Sequence, residues 1–201
     1  MKFQDGDLLA CFGRDRGARL ISLGTASLLA PPRLRLGPSH VGIILDGRLF
    51  ESTSKSPRPC EHMGRVVAGI QRHTPESRIA DYTSAGGRVD VYRLTDLWDL
   101  DWDEVDLLNE QLERMLATGR VYDLFGAALS GTRLFQWSRL FPTADLDSLF
   151  CSELVAALLM RTGRLGIGNA GRFNPGRLLR RLVRTGIYRF HRTHEGLICA
   201  V

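Results

Sequence analysis

The chain has 201 residues, 44% of them hydrophobic and 24% charged, with a formal net charge of +5. Those proportions belong to a chain that buries a real core, and they exclude a disordered, collagen-like or low-complexity polypeptide, so residues 1–201 are expected to form a single domain. Four scattered cysteines, Cys11, Cys60, Cys151 and Cys199, make no CxxC pair; this excludes a disulfide framework or zinc knuckle and points to reduced thiols in a cytoplasmic setting.

The N-terminus runs Met1-Lys2-Phe3-Gln4-Asp5-Gly6-Asp7 without the basic-then-apolar pattern of an export signal. The most apolar stretch, Leu20 to Ala30, is interrupted by Ser22, Gly24, Thr25 and Ser27, and is too short and too polar to span a bilayer. Charge is unevenly distributed. Residues 161–194 hold nine arginines and no acid, whereas residues 96–113 are strongly acidic. The arginine-rich end is read either as a contact for an anionic surface, with Arg177, Arg180, Arg181 and Arg184 on one helix face, or as an ordinary solvated face. No zinc finger or RNA-binding aromatic motif supports a nucleic-acid partner.

In chain order, Asp7 to Phe12 reads as a first strand, and Gly17 to Leu29 as a helix stopped by Pro31-Pro32. His40-Val41-Gly42-Ile43-Ile44-Leu45, then Asp46-Gly47, then Arg48-Leu49-Phe50-Glu51-Ser52-Thr53 reads as a hairpin with a type I′ turn. Residues 55–87 are turn-rich, with one candidate strand from Arg65 to Gln71, and Arg88 to Leu94 alternates as a strand. Asp101 and Glu104 form a capping-box pattern ahead of the stripe Val105, Leu108, Leu112, Met115 and Leu116. A helix beginning near Asp147 or Ser148 carries Leu154, Val155, Leu158 and Leu159; another follows Asn174-Pro175-Gly176, and Tyr188 to Phe190 and Leu197 to Val201 are closing strands. Hairpins mixed with helices, without a βαβ rhythm, indicate the α+β class.

The hairpin register carries the first functional expectation. If Leu45 pairs with Arg48, then Gly42 faces Glu51, and His40 and Glu51 are diagonal neighbours on one face, roughly 7 Å apart at the backbone. A carboxylate there can fix the imidazole's orientation and tautomer. Cys151, at the start of a predicted helix, lies where the helix dipole favours a thiolate. The plainer alternatives are an exposed His–Glu pair and a buried structural cysteine. Cys11 and Cys199 read as core residues. Cys60-Glu61-His62 and His191/His194 lack a third ligand at a recognised spacing, so no metal site and no cofactor is expected.

Gly6-Asp7-Leu8-Leu9 near the start, Ser39-His40-Val41-Gly42-Ile43 with Glu51 on the next strand, Tyr122-Asp123, Phe150-Cys151-Ser152-Glu153-Leu154-Val155 and Asn174-Pro175-Gly176 together resemble the YiiX-like branch of the NlpC-type papain-like superfamily. The resemblance runs from Asp5 to about Leu182. It implies a circularly permuted papain-like fold, a small antiparallel sheet or partial barrel packed against helices. It also implies a Cys151–His40–Glu51 triad acting through an acyl-enzyme on a peptide, amide or acyl-lipid substrate, with amidase or peptidase-like chemistry first and lipid-directed acyl transfer or ester cleavage as its alternative. Ser39 and Tyr122 are the candidate substrate contacts, Tyr122 being open between an active-site wall and a core aromatic. A non-catalytic module docking on an anionic surface is the competing class. Glu51→Gln keeps a hydrogen-bonding partner for His40 but withdraws the charge that stabilises imidazolium, so it is expected to lower turnover with no more than the roughly 0.5 kcal/mol change in stability typical of a benign site.

Overall fold

The computed structural model describes residues 2–53, 56–118 and 147–196, the side chains of 118 and 147–150 excepted. Six strands, β1 (Leu8–Phe12), β2 (His40–Leu45), β3 (Arg48–Thr53), β4 (Gly69–His73), β5 (Arg88–Leu94) and β6 (Tyr188–Glu195), form one antiparallel sheet in the order β4-β3-β2-β1-β5-β6. The sheet is open, so of the two expected forms it takes the sheet and not the barrel. Among the described residues five α-helices accompany it: α1 (Arg16–Gly24), α2 (Pro75–Ser84), α3 (Trp102–Thr118), α4 (Asp147–Arg161) and α5 (Pro175–Arg184).

Both faces of the central strands are covered. Leu8, Ala10, Val41, Ile43, Leu45, Phe50 and Tyr92 pack with Leu108 and Leu112 of α3, Leu154, Val155 and Leu158 of α4, and Leu178 and Leu182 of α5. On the opposite face Leu9, Cys11, Ile44, Leu49, Val89 and Val91 pack with Ile79 of α2. This explains why β2, buried along its whole length, reads as a continuous apolar run instead of alternating.

The hairpin forms in the expected register, with Leu45 opposite Arg48, Ile44 opposite Leu49 and Ile43 opposite Phe50. Asp46 (φ 48°) and Gly47 (φ 66°) both take the positive φ that a type I′ turn needs. The capping box is reciprocal: Asp101 N–H donates to Glu104 Oε2 (3.1 Å) and Glu104 N–H to Asp101 Oδ1 (2.8 Å). Asn174 caps α5 by accepting from Arg177 N–H at 2.7 Å.

Three expected elements differ. α1 ends at Gly24, where Thr25 is its C-cap and Ser27 N–H turns back to donate to Arg35 O at 2.8 Å; Leu28 and Leu29 therefore leave the helix and stand 91% and 100% exposed. The turn-rich stretch contains β4, further along the chain than the expected strand, and all of α2. Thr74 caps α2 and Pro75 fills its first turn, a start signal present in the sequence. β6 runs on to Glu195 as a polar edge strand, whose exposed side chains give no apolar alternation to read. The expected strand Leu197 to Val201 lies outside the described residues.

Gly42 positions the hairpin for the site. A Cβ there would come within 2.8 Å of Leu49 Cδ1, 3.0 Å of Phe50 O and 3.3 Å of Glu51 Cβ. Gly42→Ala is expected to push β3 from β2 and to lower stability by about 1–3 kcal/mol, measured by urea unfolding; an unchanged midpoint would show that β3 yields without cost.

Candidate active site

His40 is the first residue of β2 and Glu51 the fourth of β3. Their side chains meet as the register requires, His40 Nε2 lying 2.7 Å from Glu51 Oε2, with both residues buried. α4 packs on β2 and β3 from the other face and brings Cys151 to the histidine, where imidazole and thiol are hydrogen-bonded. With Nε2 held by Glu51, Nδ1 is the ring nitrogen left for the sulfur. The chain thus brings Cys151 together with His40 and Glu51, which lie 111 and 100 residues before it in sequence.

Cys151 is the fifth residue of α4, near the helix start but just past the four amides that a helix leaves unpaired. It has no exposed surface. A cavity of about 240 Å³ opens beside the imidazole, lined among others by Gly13, Ser39, His40, Thr53, Arg78 and Tyr82. Cys151 is not part of that lining, so the cavity reaches the base and not the sulfur. Ser39 lies in it with its hydroxyl already engaged, donating to Cys11 O and accepting from Gly13 N–H, both at 3.1 Å. Those bonds fix the backbone that leads into His40. Tyr122 lies outside the described residues.

The residue missed from sequence is Arg78, on α2. Its Nε donates to Glu51 Oε1 at 2.5 Å and its Nη2 to Glu51 Oε2 at 3.4 Å, while Nη1 donates to Asp81 Oδ2 at 3.0 Å. Without α2 in the sequence reading there was no element to carry it. His73 stands 3.6 Å from Glu51 Oε1, beyond hydrogen-bond reach, and donates instead to Gln71 Oε1 at 3.0 Å. Burial holds its pKa below the ordinary value, so it stays neutral beside the cluster.

The electrostatics follow from this arrangement. Burial alone lowers the pKa of His40, but its interactions with Cys151 and with the Glu51 carboxylate outweigh it and raise the imidazole to about 10. Burial alone raises Glu51, but His40 and then Arg78 outweigh it and lower the carboxylate to about 2. Cys11 sits directly across β1–β2 from His40. Burial, and after it the charge of Glu51, pushes its thiol well up, so it remains protonated and inert. Cys60 is buried and accepts from Arg72 N–H at 3.4 Å, and His62 lies 3.4 Å from Glu113. Among the described residues no group of three or more His, Cys, Asp or Glu side chains is placed to hold a metal ion.

No family model matches the sequence, and no curated protein matches it. Among solved structures the chain is similar to the metalloprotein YiiX from Escherichia coli O157:H7, with 17% identity over 82% of this chain and 69% of that one, at a TM-score of 0.46.

The buried Glu51 corrects the expectation that its replacement is benign. Glu51→Gln leaves the Arg78 guanidinium buried, 4% exposed, with Asp81 as its remaining carboxylate partner, and Arg78→Met strands Glu51 with only His40. Each is expected to cost about 3–5 kcal/mol near pH 6, with the double variant costing less than the sum. Because Glu51 is lowered from 4.5 to about 2, the stability it contributes is present above pH 4.5 and is lost as pH falls toward 2; because His40 is raised from 6.5 to about 10, its contribution is present below pH 6.5 and is lost as pH rises through 10. Denaturant unfolding of wild type and Arg78→Met from pH 6 down to 2.5 should therefore show the gap closing on acidification. A gap that stays constant over that range would contradict the pairing.

Proposed function

We propose that this chain is a cysteine-nucleophile hydrolase or acyltransferase with a permuted papain-like fold, cleaving an amide, ester or thioester, with an amidase or peptidase-like reaction first among these. The observation that supports the reading is His40 bonded through Nε2 to Glu51 and hydrogen-bonded to Cys151. A non-catalytic module has no need of a matched thiol, imidazole and carboxylate.

The charge balance refines how the proton moves. His40, its imidazole raised to about 10, is the proton carrier, and the attacking form of Cys151 in this reading is the thiolate. The thiolate attacks the carbonyl carbon and forms a C–S bond, the tetrahedral adduct expels the amine, alcohol or thiol, and His40 supplies the proton that the leaving group takes. The neutral imidazole then accepts a proton from water or a second acyl acceptor. That nucleophile attacks the thioester, the acyl product departs, and the thiolate–imidazolium pair is restored. Glu51 keeps the ring aligned throughout and favours its charged form. Of the three other cysteines, Cys11 is kept protonated.

Two measurements test this. Iodoacetamide labelling at neutral pH, read by peptide mass spectrometry, should modify Cys151 ahead of Cys11 and Cys60 and should slow roughly 10²-fold in His40→Ala. Against a panel of acyl-amide, peptide and phospholipid substrates, Cys151→Ser should lose turnover by roughly 10³-fold or more while its unfolding free energy stays within about 1 kcal/mol. Early unfolding with undiminished turnover would make Cys151 a core residue and end the catalytic assignment.

A further inference from the structure

Two acid-free stretches of the chain meet on one side of the molecule. Residues 16–45 contain Arg16, Arg19, Arg33 and Arg35 and no acid, and residues 161–194 contain nine arginines and no acid. Arg180 Nη1 donates to Leu34 O at 3.2 Å, and a Cβ on Gly37 would fall 2.9 Å from the Gly176 Cα, so the loop after α1 is seated directly on α5. Between them runs a groove of about 920 Å³ whose lining includes Arg177, Arg180, Arg181 and Arg184 and no acidic residue.

The arginines follow helical spacing of three and four along one face of α5, opposite the buried Leu178, Leu179 and Leu182. Arg177, Arg181 and Arg184 are exposed. Apolar side chains stand among them: Leu29 and Ile167, both in the groove lining, have essentially their full surface in solvent, at 100% and 102%, and the adjacent Leu28 is 91% exposed. Leucines held out by a loop beside an arginine row match the apolar and electrostatic demands of a membrane interface with acidic headgroups.

We infer that the face built by the 25–36 loop, the 165–168 turn and α5 docks on an anionic lipid bilayer, the arginines against the headgroups and Leu28, Leu29 and Ile167 in the acyl boundary. A nucleic acid would match the charge but has no use for three bare aliphatic side chains, and the groove's aromatic, Phe173, is partly covered instead of being offered for stacking. A second copy placed face to face would oppose arginine to arginine. Among the described residues no helix is long and apolar enough to cross a membrane, so the contact is peripheral. It does not depend on the catalytic reading.

Co-sedimentation with phosphatidylcholine vesicles, with and without phosphatidylserine, tests it. Wild type should partition only onto the acidic vesicles. The triple variant Arg177→Gln/Arg181→Gln/Arg184→Gln should partition on the order of a hundredfold more weakly, at about fivefold per arginine, and Leu28→Ser/Leu29→Ser roughly tenfold or more weakly even where the charge is intact. All the substituted side chains are exposed, so the melting transitions should match wild type. Equal partitioning onto both vesicle types, or acidic-vesicle binding indifferent to the leucine variant, would overturn the inference. So would tighter binding of a single-stranded oligonucleotide that the leucine variant retains in full.

Discussion

The structure turns on one buried carboxylate. Glu51 is 1% exposed, and an ionised carboxylate in that position costs several kcal/mol unless charge and hydrogen bonds compensate. It receives His40 from β2 and Arg78 from α2, so its compensation requires the hairpin register, the pairing of β3 with β4, and the docking of α2 on the sheet. The loop into β2 is fixed by Ser39, the approach of β3 to β2 is permitted by Gly42, and α2 begins where Thr74 caps it. Local features scattered over forty residues therefore serve one electrostatic requirement.

The same carboxylate sorts the cysteines. Cys11 and Cys151 both lie near His40, yet only one is hydrogen-bonded to the ring. Cys11 faces the Glu51 side of the sheet, where negative charge and burial disfavour a thiolate. Cys151 approaches from α4 with the imidazolium between it and Glu51. Arginine, carboxylate and imidazolium then alternate in sign, and an alternating row is the arrangement that lets three charges share a buried volume. Arg78 thus holds Glu51 ionised while Glu51 holds His40 protonated.

Much of this was legible in the sequence where the signal is local. The Asp46-Gly47 turn fixed the register, and the register alone placed His40 beside Glu51. The Asp101–Glu104 box and Asn174-Pro175 marked two helix starts that the hydrogen bonds reproduce. What was not legible depends on tertiary context. Arg78 is a charged residue in a weakly amphipathic helix, and nothing in its neighbours shows that it turns inward; only the fold over Glu51 does. β6 extends to Glu195, beyond the expected Phe190, because an edge strand with polar residues on its outer side has no apolar period. Leu28 and Leu29 extend the helical apolar pattern of α1, whereas the chain leaves the helix at Thr25 and presents them to solvent.

The central claim is that His40 is an imidazolium at neutral pH because Cys151 and Glu51 flank it. The most direct measurement is the pH titration of the His40 ring nitrogens by NMR in wild type and Cys151→Ala. The account predicts a ring that stays protonated through pH 8 and titrates near 10 in wild type, and that deprotonates at distinctly lower pH once the sulfur is gone. A neutral His40 tautomer at pH 7 with an unchanged midpoint in Cys151→Ala would contradict it.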